Sequence, residues 1–370
     1  MIATYYLESP VFTEMSSSEN FKNSSIESII EIHKNKLRDD SPISDLNDFL
    51  LTLHYLTFWG VPFLSQIIYD YLDENLFEEY EELNQLSDSI SIELIDEILS
   101  YIRSKFNPRK RITCGYDFSI GIKKDGTLIG WGDNRLGQIN VPEGEFISVA
   151  CGTCYSIGIK KDNTLIGWGN NLFGQINVPK GEFIFITCGF NFSIGIKKDN
   201  TLIGWGDNGS GQINVPEGEF IFVACGAWYS IGIRKDGTLI GWGNNRHGQI
   251  NFPEGEFIFI ACGAHHSIGI KKDGTLIGWG DNEFGQINVP QGEFISVTCG
   301  AYSSIGIKKD GILIGWGNDK SGQINVPEGE FISVACGYDF SIGIKKDGAL
   351  IGWGYNRFGQ INVPSEGMII

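Results

Sequence analysis

The sequence predicts a mainly β chain, a seven-bladed β-propeller with three-stranded blades, preceded by a small α-helical module. Three observations carry this reading. Trp131, Trp168, Trp205, Trp242, Trp279, Trp316 and Trp353 recur every thirty-seven residues, and a fixed period of this size is the mark of a repeat architecture. Cys114, Cys151, Cys188, Cys225, Cys262, Cys299 and Cys336 keep the same spacing. Between turn signals, each unit holds three short runs rich in β-branched and aromatic residues, the pattern of strands.

The second unit shows the strands in order: Phe146-Ile147-Ser148-Val149-Ala150-Cys151, then Tyr155-Ser156-Ile157-Gly158-Ile159, then Thr164-Leu165-Ile166-Gly167-Trp168. Apolar side chains occupy both faces of these runs, so each sheet must be covered on both sides, as a blade is by its neighbours. The hairpin between the second and third strands carries Asp-Gly, as at Asp125-Gly126, or Asp-Asn, at Asp162-Asn163 and Asp199-Asn200. Gly and Asn share a tolerance of positive φ, which marks a left-handed turn position. Pro142 and its six counterparts through Pro364 fall in the links between units, where no ladder hydrogen bond is required. The repeated cysteine reads as a small buried apolar side chain. The chain ends Ser365-Glu366-Gly367-Met368-Ile369-Ile370 where another unit would begin, and Arg111-Ile112-Thr113-Cys114-Gly115 supplies the continuation. These two segments are expected to meet and close the first blade, which would remove a free sheet edge.

With Gly-Trp-Gly-Asp-Asn-x-x-Gly-Gln and Cys-Gly-x-x-x-Ser-Ile-Gly-Ile-Lys-Lys-Asp-Gly in place, the units resemble the regulator of chromosome condensation repeat. The resemblance is closest to the short-repeat branch that includes a bacterial β-lactamase inhibitor propeller, and implies binding through loops at one mouth. The family also includes a nucleotide-exchange factor for the small GTPase Ran, which has longer repeats and a projecting wedge. Every unit here is thirty-seven residues without insertion, which argues against exchange activity.

Seven copies in one chain separate what the blade requires from what it leaves free. One variable window lies between the first and second strands: Tyr116-Asp117-Phe118, Thr153-Cys154-Tyr155, Phe190-Asn191-Phe192, Ala227-Trp228-Tyr229, Ala264-His265-His266, Ala301-Tyr302-Ser303 and Tyr338-Asp339-Phe340. The other follows the third strand: Arg135-Leu136, Leu172-Phe173, Gly209-Ser210, Arg246-His247, Glu283-Phe284, Lys320-Ser321 and Arg357-Phe358. In an up-down-up blade both windows fall at the same end. The expected partner-binding residues are therefore Tyr116, Phe118, Arg135, Tyr155, Phe173, Phe190, Phe192, Trp228, Tyr229, Arg246, His265, His266, Phe284, Tyr302, Tyr338, Phe340, Arg357 and Phe358, types enriched at protein-binding hot spots. Packing between blades is the competing use of the aromatic members. At the opposite end, Lys123-Lys124-Asp125 and its counterparts meet Glu143, Glu145 and theirs, so a charge-cancelled, solvated surface is expected.

No catalytic residues, cofactor or metal are expected. Cys151-Gly152-Thr153-Cys154 spells a C-x-x-C, but its first member is the repeated cysteine and no second pair completes a zinc site. His247, His265 and His266 should lie near one another and offer three imidazoles, though loop histidines more often serve no metal. The Trp-Gly-Asp-Asn segments are turns that lack the Lys-Ser/Thr of a phosphate loop.

The formal charge of -17 is uneven: residues 1–110 hold 20 acidic and 8 basic side chains, and the remainder 25 and 20. An acidic chain repels phosphate backbones, so a nucleic-acid partner is not expected. The start lacks a secretory pattern and no eighteen-residue apolar run occurs, so no membrane partner and an intracellular location, cytoplasmic or nuclear, are expected. Residues 1–20 read as a loose N-terminus, 21–107 as the α-helical module and 111–370 as the propeller. Helical spacing of apolar residues marks Ser25 to Arg38, Asp45 to Trp59, Pro62 to Leu76 and Ser91 to Lys105. Within them Phe49-Leu50-Leu51-Thr52-Leu53-His54-Tyr55-Leu56, Gly60-Val61-Pro62-Phe63-Leu64 and Tyr71-Leu72-Asp73-Glu74-Asn75-Leu76 resemble the helical tail of BTB/POZ domains. That resemblance implies a substrate adaptor for a cullin-type ubiquitin ligase. The partner is thus expected to be a protein, with a ubiquitin-ligase component or a small GTPase as the family-implied alternatives.

Overall fold

Alternating bulky apolar residues and short turns make each unit one antiparallel three-stranded sheet with its strands in sequence order. The structure, a computed structural model, describes residues 111–364 except Lys235, Asp236, Glu256 and Lys272. The α-helical module and the C-terminal segment expected to join Arg111–Gly115 lie outside the described residues. Blade one comprises Ile112–Cys114, Phe118–Ile122 and Leu128–Gly132, and blade seven Phe331–Cys336, Phe340–Lys345 and Leu350–Gly354. The inner strand, which carries the repeated cysteine, touches the inner strands of both neighbours all the way round, the first against the seventh included. The described residues therefore form a closed ring of seven three-stranded blades.

The cores lie between blades. Phe118, Ile120, Ile122 and Leu128 of blade one pack against Phe146, Val149 and Trp168 of blade two, and the pattern repeats round the ring. At the seam, Ile112 and Trp131 pack on Ala335, Phe340, Ile342, Ile344 and Leu350. The tryptophan explains its own periodicity. Trp168 Nε1 donates to the Gln138 carbonyl of the preceding unit at 3.0 Å, and Trp131 Nε1 to that of Gln360 at 2.9 Å. A buried indole needs such an acceptor. Its ring also meets Phe146 edge-on, with centroids 6.4 Å apart.

Two glycines of each unit answer to close packing. A Cβ on Gly158, in the middle strand, would lie 2.6 Å from the Phe146 ring. Gly169 has φ +97 and brings the backbone against Gln138 of the preceding unit, 3.2 Å from a would-be Cβ. At the hairpins Gly126 (φ 83), Asn163 (φ 64) and Asn200 (φ 64) are left-handed, as the Gly-to-Asn exchange implies. In blades two to seven the inner strand slips register at its second residue, as between Phe146 and Ser148. This bulge turns Ile184 and Ile332 outward, where they are exposed.

Candidate functional site

The loop after each outer strand is held by polar side chains, as blade one shows. Asn134 Oδ1 accepts from the Ile139 N–H at 3.2 Å, and Asn134 Nδ2 donates to Asn140 Oδ1 at 2.8 Å. Buried Gln138 accepts from the Leu136 N–H at 2.8 Å and donates to Asp133 at 2.9 Å. With these side chains holding the backbone, the two residues between them are free to vary. That loop reaches the first turn of the following blade: His247 lies 4.6 Å from His265, and Phe284 5.5 Å from Tyr302, between ring centroids. The two variable windows thus share one face.

On that face six aromatic rings form a continuous arc. Phe190 meets Trp228 at 4.9 Å, Trp228 stacks on His265 at 5.4 Å, and His265 meets Tyr302 at 6.4 Å. Tyr302 then meets Tyr338 at 6.1 Å, and Tyr338 stacks on Tyr116 at 4.2 Å. The rings come from alternate positions. In blades four to six a buried alanine, Ala227, Ala264 or Ala301, precedes Trp228, His265 or Tyr302, and in blades seven, one and three the ring takes the alanine's place. Blade two supplies Thr153 and Cys154 and interrupts the arc.

Inside the arc, the cysteines and glycines of all seven turns line a central pocket of about 120 Å³. That is well below the ~300–1,000 Å³ of a drug-sized ligand site. The cysteines are interblade bridges: Cys188 Sγ lies 3.6 Å from the Ala150 carbonyl and 3.5 Å from Ser193 Oγ. Burial pushes the Cys188 and Cys262 thiols up to about 12, which removes the thiolate that reactivity requires.

Of the expected contact residues, Tyr116, Arg135, Phe173, Arg246 and Arg357 are exposed, and Phe190, Trp228, His265, Phe284, Tyr302, Tyr338 and Phe358 are half-buried. Six expectations are corrected: Phe118, Tyr155, Phe192, Tyr229, His266 and Phe340 are wholly buried. They begin the middle strand, fold under the preceding glycine, and face the next blade. A Cβ on Gly152 would lie 2.0 Å from the Tyr155 ring. Tyr155 Oη donates to the Phe192 carbonyl and accepts from Ser193 Oγ at 3.1 Å. His266 Nε2 pairs with Ser304 Oγ at 3.0 Å, so the three histidines do not converge. Among the described residues no group of His, Cys, Asp or Glu is arranged to hold a metal.

Two carboxylates the sequence reading passed over also stand here. Asp117 and Asp339 are half-buried, and burial first of all raises both pKa values. Their signal was the tripeptide Tyr-Asp-Phe, found in units one and seven alone, which are neighbours once the ring closes. On the opposite face, Lys161–Glu145, Lys198–Glu182 and Lys346–Glu330 pair at 2.7, 2.9 and 2.9 Å, in keeping with a charge-cancelled surface.

Seven segments, 110–138, 146–175, 183–212, 220–249, 257–286, 294–323 and 331–360, match the regulator of chromosome condensation (RCC1) repeat and together cover more than half of the chain. The chain belongs to the RCC1-repeat family. Among solved structures it is similar to the CRINKLY ectodomain of the Arabidopsis thaliana receptor kinase ACR4, with 21% identity and a TM-score of 0.59 over 69% of this chain and 98% of that one. The receptor kinase CR4 ectodomain of Physcomitrella patens gives 21% identity and a TM-score of 0.60, over 66% and 72%. Prp20p of Saccharomyces cerevisiae, studied for its binding to Gsp1p and histones, gives 15% and 0.56, over 71% and 86%. Among curated proteins, none matches the chain significantly. Among the described residues, no helix is long and apolar enough to cross a membrane.

Proposed function

We propose that this chain is a protein-interaction scaffold that engages a protein partner through the variable-loop face of its propeller, without catalysing a reaction. The observation that carries the reading is the arc from Phe190 through Trp228, His265, Tyr302 and Tyr338 to Tyr116. Half-buried and exposed aromatic rings gathered on one face are the composition of interface hot spots. The central pocket is smaller than a drug-sized ligand site.

The test is affinity purification with full-length protein, comparing wild type, a Trp228→Ala/Tyr302→Ala variant and a Glu145→Ala/Lys161→Ala variant of the opposite face. The expected result is a partner held by the wild type and the opposite-face variant and lost from the mouth variant. Equal recovery by all three would overturn the reading. A small-GTPase partner is the narrower alternative, drawn from the Gsp1p binding of Prp20p. Uniform units without a projecting insertion weigh against nucleotide exchange, and a nucleotide-release assay on Ran-like GTPases without acceleration would end it. A cullin-adaptor role for an intracellular protein rests on the BTB/POZ-like residues alone, and co-purification without a cullin would end that.

A further inference from the structure

The two Tyr-Asp-Phe turns become neighbours because blade seven closes on blade one. Tyr116 and Tyr338 stack with their ring planes 28° apart, and Tyr116 remains 37% exposed. Beside each ring sits a half-buried carboxylate with one neutral donor. Asp117 Oδ1 accepts from Gln360 Nε2 at 3.1 Å, and Asp339 Oδ1 from Gln323 Nε2 at 3.0 Å.

The cations nearby, Arg135 and Arg357 beside Asp117 and Lys320 beside Asp339, offset part of the effect of burial from a distance but make their close contacts with other groups. Arg135 pairs with Asp133 at 2.8 Å and covers the Phe358 ring at 4.6 Å, which Arg357 also overlies at 5.6 Å. Lys320 sits 5.2 Å above Phe284. Among the described residues, none is within ion-pair distance of Asp117 or Asp339. A carboxylate that has lost part of its water without a cation in direct contact remains costly, and a cation brought into contact recovers part of that cost. The aromatic faces alongside attract the same charge. A guanidinium meets both demands, since it is planar, stacks on a ring and donates in parallel to a carboxylate. An ammonium is a point charge and does neither as well.

We propose that the seam between blades seven and one is a docking subsite for an arginine side chain of a protein partner, held by Tyr116, Tyr338, Asp117 and Asp339. The assignment rests on the reading of this face as the partner surface and names the chemistry of one anchor.

The test uses full-length protein and an end-blocked synthetic peptide of arginines spaced by glycine and serine, with citrulline and lysine versions, measured by calorimetry. The arginine peptide should bind at least about tenfold more tightly than the citrulline peptide, and more tightly than the lysine peptide. Asp117→Asn/Asp339→Asn should weaken it by about tenfold or more while leaving thermal unfolding in place, because asparagine keeps the acceptor for each glutamine. Arginine and citrulline peptides binding alike, lysine binding as tightly as arginine, or an unaltered affinity in the Asp→Asn variant would overturn the assignment. So would a uridine oligonucleotide that binds more tightly than the arginine peptide. If the purified partner is lost from Trp228→Ala/Tyr302→Ala but retained by Asp117→Asn/Asp339→Asn, the partner face stands and the arginine anchor falls. Retention by both variants removes the face itself.

Discussion

His266 offers a quantitative test of how this ring is held together. It is wholly buried, its Nδ1 has no partner, and its Nε2 pairs with Ser304 Oγ at 3.0 Å. Burial, opposed by Asp281, pulls its pKa from 6.5 down to about 3. The folded value lies below the unfolded one, so the unfolded chain takes up the proton first. Stability is therefore lost as pH falls below 6.5, and the loss levels off near 3. Worked through the linkage relation, this group costs little at about pH 7 and on the order of 3 kcal/mol at about pH 4.5. His266→Phe installs the residue that Phe118, Phe192 and Phe340 supply in other blades. Ser304 keeps contacts to the Gln286 carbonyl and Cys299 Sγ, so the change at neutral pH should stay within ~1 kcal/mol. Urea unfolding of wild type and variant at both pH values is the assay. Wild type should lose roughly 2–3 kcal/mol more than the variant on acidification. Losses equal within about 1 kcal/mol would refute the assignment of His266 as the buried neutral group.

Three further outcomes follow from the same packing. Trp205→Phe removes the 2.9 Å bond from Nε1 to the Gln175 carbonyl and leaves that acceptor unpaired, so urea unfolding should show a loss of ~1–3 kcal/mol. Gly152→Ala places a methyl 2.0 Å from the Tyr155 ring, and overpacking of ~3 kcal/mol or more should lower the thermal midpoint well beyond the effect of a surface Gly→Ala change. Alkylation followed by mass spectrometry at about pH 8 should modify Cys154 before Cys188, whose pKa of about 12 leaves roughly one thiolate in ten thousand. Labelling of Cys188 at the rate of Cys154 would contradict its burial.

The repeat, the three strands per unit, the left-handed hairpin position and the meeting of the two variable windows were all legible in the sequence. Each is set by a local rule, repeated seven times: alternation of apolar residues, turn chemistry, and the end of the sheet on which a given turn must fall. What only the tertiary structure decided depends on the neighbouring blade. Phe118 and Tyr116 stand two residues apart in one turn, yet the first is buried beneath Gly115 and the second exposed. Composition does not separate them, because the difference lies in which ring the next blade covers. Tyr229 and Trp228 divide in the same way. The nearness of Asp117 to Asp339 joins the two ends of the repeat array, and no sequence separation foretells it until the ring is closed. Closure also set the glutamine bonds across the seam, where Gln360 reaches Asp117 over 243 residues of chain. The blade is thus a local property of thirty-seven residues. The make-up of the variable-loop face is a property of how blades touch, since the cost of leaving a ring or a carboxylate in water is settled by the neighbour that covers it.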